Sequence, residues 1–131
     1  MKVLIIEDEE QAAKRMESLV RELLPHAEVL GVLDTVKKSV EWFKQGHLLD
    51  LVLMDIQLAD GISFQIFEQC DVKAPVIFTT AYDAYALKAF KVNSIDYILK
   101  PIDKEELRQA FAKLSTNTSP DTQQMLSSIE Q

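Results

Sequence analysis

Apolar residues gather along the chain in five short runs: Val3–Ile6, Val29–Leu33, Leu51–Met54, Val76–Phe78 and Tyr97–Leu99. Most are continuous rather than alternating. Runs of this kind suit strands covered on both faces, as in a parallel sheet. The intervening stretches change period. Ala12, Met16, Leu19, Val20 and Leu23 fall on one helical face. Val36, Val40 and Phe43 make a second, stopped near Gly46, and Ile62, Ile66, Phe67 and Cys70 make a third. Tyr85, Ala89 and Phe90 mark a short fourth. Leu107, Ala110, Phe111 and Leu114 mark a fifth, opened by Asp103 with Glu106 three residues on, the spacing of a capping box. These stripes are core faces rather than cofactor boxes.

The pattern is strand then helix, five times over. It predicts an α/β fold: a doubly wound, five-stranded parallel sheet of order 2-1-3-4-5, flanked by five helices, in the flavodoxin-like architecture. In such sheets chemistry gathers just beyond the carboxyl ends of the strands. From Ser115 onward the chain turns polar, with Ser115-Thr116-Asn117-Thr118-Ser119-Pro120 reading as turn-forming. The expected division is therefore a domain over 1–116 and a polar linker or tail over 117–131.

Composition narrows the function classes. At 131 residues, 47% apolar and 27% charged, the chain suits one globular domain. The net charge of -7 disfavours direct binding to nucleic acid and favours cations or a basic partner face. One cysteine, Cys70, excludes an intrachain disulfide and a cysteine metal cluster. The start is acidic by Glu7 and does not resemble a signal peptide, and no apolar run approaches a membrane span. A cytoplasmic protein without a membrane partner is expected.

The strand ends carry the candidate chemistry. Strand 1 ends in Glu7-Asp8, strand 3 in Asp55, strand 4 in Thr79-Thr80 and strand 5 in Lys100-Pro101. Singly, each is an ordinary cap or a solvated side chain. Jointly, they place three carboxylates, a hydroxyl and an ammonium at one sheet edge. Clustered carboxylates call for a cation, and an all-oxygen set suits Mg2+. Phosphoryl transfer needs little beyond charge neutralisation on the equatorial oxygens. Asp55 then reads as a nucleophile forming an acyl phosphate, with Mg2+, Lys100 and the Thr80 hydroxyl each holding a phosphoryl oxygen.

Ile5-Ile6-Glu7-Asp8-Glu9, Leu53-Met54-Asp55, Thr80-Ala81 and Tyr97-Ile98-Leu99-Lys100-Pro101 resemble, in order, the receiver domains of bacterial two-component response regulators. The likeness covers about residues 1–115. It implies a CheY-like fold and a Mg2+ site formed by Glu7, Asp8, Asp55 and the backbone carbonyl of Gln57. It also implies Asp55 as phosphoacceptor, Thr80 and Tyr97 as switch residues, Lys100 as the phosphoryl partner and a cis bond before Pro101. The implied phosphodonor is a sensor histidine kinase. The implied output is a changed face of helix 4, strand 5 and helix 5, with a homodimer as one use of it. The domain would be no enzyme beyond its own phosphorylation and dephosphorylation. Phe78-Thr79-Thr80-Ala81-Tyr82-Asp83-Ala84-Tyr85-Ala86-Leu87-Lys88-Ala89-Phe90 and Ser94-Ile95-Asp96-Tyr97 resemble regulators with a LytTR-type DNA-binding domain. DNA contact and control of transcription would then belong to a domain not present in this chain.

The loop after Asp55 departs from the usual pattern: Ala59 stands near the usual Pro, and Gly61 arrives six residues after Asp55, two sooner than usual. Gln57 and Tyr82 occupy positions that tune hydrolysis in the family. Leu87 falls opposite Tyr85 and Ala89 and suggests an interface, Phe64 reads as a single exposed apolar residue, and His26 and His47 as solvated side chains. The alternatives differ in class. A flavodoxin-like cofactor binder would need a phosphate-cradling loop where Glu7-Asp8-Glu9-Glu10 stands. A haloacid-dehalogenase-type phosphatase would need an acid where Gln57 stands. A degenerate receiver would bind partners without phosphorylation.

Overall fold

The computed structural model describes residues 1–81 and 94–117 of the chain. Five strands form one parallel sheet: β1 (Lys2–Ile6), β2 (Glu28–Leu33), β3 (Leu51–Asp55), β4 (Val76–Thr80) and β5 (Ser94–Leu99). Their spatial order is β2-β1-β3-β4-β5, as the sequence pattern predicts. The described helices are α1 (Glu10–Leu23), α2 (Val36–Lys44), α3 (Phe64–Gln69) and α4 (Lys104–Asn117). The helix expected around Tyr85, Ala89 and Phe90, with Tyr82 and Leu87, lies outside the described residues, so α4 is the fifth helix of the sequence reading. No helix among the described residues is long and apolar enough to cross a membrane.

Alternate residues along each strand feed two cores. Val3, Ile5, Leu51, Leu53, Ile77 and Ile98 face Met16, Leu19 and Val20 of α1 and Leu107, Ala110, Phe111 and Leu114 of α4. Leu4, Ile6, Val52, Met54, Val76 and Phe78 face Val36 and Val40 of α2 and Ile66 of α3. The three central strands are buried on both faces apart from Lys2, which is why they read as continuous apolar runs. The two edge strands are not: Val32 of β2 and Leu99 of β5 are 43% and 44% exposed. Leu107 is fully buried between α4 and the sheet. Leu107→Ala is expected to lower stability by about 2–5 kcal/mol, read as a fall in the urea midpoint, because a cavity opens where the sheet cannot collapse to fill it.

Local signals in the sequence appear as caps. Asp103 Oδ2 accepts the Glu106 N–H at 3.1 Å, starting α4 as its capping-box spacing predicts. Thr35 Oγ accepts the Lys38 N–H at 3.0 Å at the start of α2, and Gly46, at φ +77°, follows its end.

Four local readings change. Ala13, rather than Ala12, is the buried alanine of α1. Phe64 is not a solitary exposed residue. α3 is only six residues long and begins at Phe64, so Phe64 and Phe67 both reach Phe78, with ring centroids 5.2 and 6.0 Å away. Ile62 lies in a small hairpin before the helix, in which Gln57–Leu58 pairs antiparallel with Gly61–Ile62. Ser115, Thr116 and Asn117 complete α4 instead of forming a turn. His26 and His47 are exposed as expected, although His47 also stacks on Trp42 at 4.3 Å.

Candidate functional site

Sheet register brings the strand-end residues together. Ile6 sits beside Met54, so Glu7 and Asp8 leave β1 next to Asp55. Asp55 pairs with Thr79, and Thr80 with Leu99, immediately before Lys100. Backbone bonds continue past the ladders: Ile56 N–H donates to the Thr79 carbonyl at 3.1 Å, and Lys100 N–H to the Thr80 carbonyl at 2.7 Å. Glu7 N–H donates to the Leu33 carbonyl of β2 at 2.8 Å. All five strands therefore converge on one row at the carboxyl edge, the position at which doubly wound folds build sites.

Lys100 is the hub of that row. Its Nζ donates to Glu7 Oε1 at 2.7 Å and to Asp55 Oδ2 at 3.0 Å. Glu7 Oε2 accepts the Glu9 N–H at 3.1 Å, and Asp55 Oδ1 accepts the Gln57 N–H at 3.3 Å. Glu7 and Asp55 are buried, while Asp8 is exposed at the rim. Carboxylate oxygens of Glu7, Asp8 and Asp55 all lie within 4.8 Å of one another.

Burial raises the Glu7 pKa above its ordinary value, opposed by its bonds to Lys100 and Glu9 and assisted by the negative charge of Asp55. Asp8 is also raised, by burial first and then by Glu7. Burial would lower Lys100, but its hydrogen bonds to Glu7 and Asp55 outweigh that and raise its pKa. Three carboxylates thus share one ammonium. The donor set is all oxygen and carries surplus negative charge, which fits a hard divalent cation such as Mg2+. It does not fit a phosphate-cradling loop. A cleft of about 330 Å³ opens beside the cluster, lined by Asp8, Val32, Asp34 and Lys38 among others.

The other expected residues fall close by. Thr80 is 1% exposed at the end of β4. Tyr97 is half-buried on β5, against the core that contains Phe78. Gln57 is exposed at the start of the hairpin, and the Lys100–Pro101 bond is cis. Two further residues shape the site without a local sequence signal. Arg15 of α1 donates to the Ile102 carbonyl at 2.9 Å, tying α1 to the segment after Lys100. Asp60, in the short loop after Asp55, accepts the Val36 and Lys37 N–H groups at 2.6 and 3.1 Å. Each bond joins segments far apart in the chain, so no motif marks it.

An aspartate at the carboxyl end of β3, flanked by an acidic pair from β1 and a lysine from β5, defines the class of α/β signalling receivers. The family profile of the response regulator receiver domain matches residues 3–112, and the chain belongs to that family. It is similar to the sensory transduction protein LytT of Bacillus cereus, 38% identical over 116 residues, which cover 86% of this chain and 46% of that protein. The LytT protein of Enterococcus faecalis is 41% identical over 120 residues, covering 88% and 48%. The chain spans about half the length of these curated relatives. Among solved structures, the response regulatory domain of protein mrkE from Klebsiella pneumoniae superposes with a TM-score of 0.75 at 32% identity, covering 88% of this chain and 96% of that one.

Proposed function

We propose that this receiver is a Mg2+-dependent phosphorylation switch whose acceptor is Asp55. The observation that carries the reading is the shared Lys100 ammonium, bonded to both Asp55 and Glu7 within a cluster of three carboxylates. Glu7, Asp8, Asp55 and the Gln57 carbonyl would hold the metal. When bound, Mg2+ supplies charge neutralisation for the transferred phosphoryl group.

An Asp55 carboxylate oxygen attacks the phosphorus of a phosphohistidine on a sensor kinase. The O–P bond forms as the N–P bond breaks, and the histidine leaves. Lys100 Nζ holds one phosphoryl oxygen and the Thr80 hydroxyl moves to hold another. Tyr97, packed in the same region of core, turns inward behind it. The product carries about -1.5 to -2 units of charge, a local change able to bias a two-state element. Of the responding face that the resemblance implies, β5 and α4 lie among the described residues. That face serves a partner or a second copy of the chain. The resemblance of residues 78–90 and 94–97 to regulators with a LytTR-type domain supports a transcriptional output through such a domain outside this chain, and membership of the receiver family supports a cytoplasmic setting.

The experiment is incubation with acetyl phosphate, followed by intact mass measurement. One added phosphoryl group that forms with Mg2+ and does not form when a chelator is present from the start is the expected result. If neither this nor a spectral response to beryllofluoride occurs, the domain is a degenerate receiver that acts by binding alone.

A further inference from the structure

The shortened loop after Asp55 contains a connection that the function above does not use. Residues 57–62 form a hairpin with Ala59 and Asp60 at its turn. Gly61 follows at φ +152°, where a side chain would be strained and a Cβ would meet Gln65 Oε1 at 2.7 Å. Below the turn the hairpin is anchored: Ser63 N–H donates to the Ile56 carbonyl at 2.7 Å, and Ile56 and Leu58 are buried. The tip is thus joined to Gln57 through a paired and largely buried segment.

The tip is fastened to a different element. Asp60 Oδ1 and Oδ2 accept the first two N–H groups of α2, from Val36 and Lys37. The third, from Lys38, goes to Thr35, the helix's own cap. The Asp60 bonds account for two N–H groups that a helix start leaves without intrahelical partners. They also hold the Asp60 pKa below its ordinary value, the Val36 bond most of all. α2 follows β2 directly, and the last residue of β2, Leu33, accepts the Glu7 N–H. A ring of bonds thus runs from Glu7 through Leu33 and the start of α2 to Asp60, and returns along the hairpin to Gln57 and Asp55. Both ends of that path, Glu7 and Asp55, belong to the acidic cluster.

Resting on the reading of this site as a Mg2+ site, we propose that Asp60 is its positioning residue. Its carboxylate fixes the loop after Asp55 against the start of α2, and so sets how tightly Glu7, Asp8, Asp55 and the Gln57 carbonyl take up the metal. Asp60 touches neither metal nor phosphoryl group and acts only through the backbone.

The test is calorimetric titration of the full 131-residue chain with Mg2+ alone, without phosphodonor. Asp60→Asn keeps the size of the side chain but turns one acceptor into a donor facing an N–H. It is expected to weaken Mg2+ binding about 10- to 100-fold, the usual effect of losing a residue that orients metal ligands. Two variants separate positioning from other causes. Thr35→Ala removes the other cap of the same helix and is expected to lower the urea midpoint while leaving Mg2+ affinity unchanged. Asp60→Glu keeps the charge and both oxygens but displaces them by one methylene, and is expected to weaken binding as Asn does.

Wild-type affinity in Asp60→Asn would overturn the proposal. An equal loss in Thr35→Ala would assign the effect to a loosened helix, and full affinity in Asp60→Glu would assign it to charge; either would also overturn it. If the unaltered chain takes up no Mg2+, the metal reading falls together with this one. If it binds and Asp60→Asn binds equally, only this inference falls.

Discussion

Asp55→Asn is expected to abolish phosphorylation by acetyl phosphate, leaving the intact mass unchanged at Mg2+ concentrations that saturate the wild type. Asparagine has nearly the same shape but offers no carboxylate nucleophile. The loss should not come from unfolding. Glu7 keeps its 2.7 Å bond to Lys100 and its bond from Glu9 N–H. The substitution also removes one of the charges that raise the Glu7 pKa. In the absence of Mg2+ the urea midpoint is therefore expected not to fall, since relief of like-charge repulsion offsets the lost Lys100–Asp55 bond. Measuring mass and midpoint on the same sample separates chemistry from stability. A phosphoryl group still added to Asp55→Asn would move the acceptor to a neighbour such as Asp8 and refute the assignment.

Lys100→Met is expected to slow phosphorylation by about 10²–10³-fold, the usual effect of removing one preorganised group that meets developing charge. Methionine preserves length and volume but leaves two buried carboxylates facing each other without their ammonium. The stability difference between wild type and variant should depend on pH in a defined sense. The Lys100 pKa is raised in the folded state above its ordinary 10.5. Its stabilisation is therefore fully present below pH 10.5 and is lost as pH rises through the higher folded value. Urea titrations without Mg2+ from neutral pH upward should show a constant gap between the two proteins that narrows only above that point. A gap that closes already near neutral pH would mean that Lys100 is not the charged hub of the cluster.

Much of the domain is legible residue by residue. The five apolar runs locate the strands because the three central strands are buried on both faces, which forces continuity rather than alternation. The edge strands were harder to bound. β5 begins at Ser94, three residues before its apolar run, because an edge strand tolerates polar side chains. Asp103 is readable as a cap since its partner lies three residues away, whereas the Thr35 cap emerges only in the structure. Phe64 departs from the expected pattern because the periodicity implies a longer helix than the one that forms.

Chain order alone determined the class of the site. Glu7-Asp8, Asp55, Thr80 and Lys100 each stand at the end of an apolar run, and a parallel sheet must bring such ends to one edge. What the tertiary structure alone decided is how these groups bond. Lys100 reaches Glu7 and Asp55 across 93 and 45 positions, and Asp60 reaches α2 across 24 and 23. Which donor meets which acceptor depends on strand register and on the path of a six-residue loop. Register and loop path are fixed by packing over the whole sheet, so no local stretch of sequence encodes them.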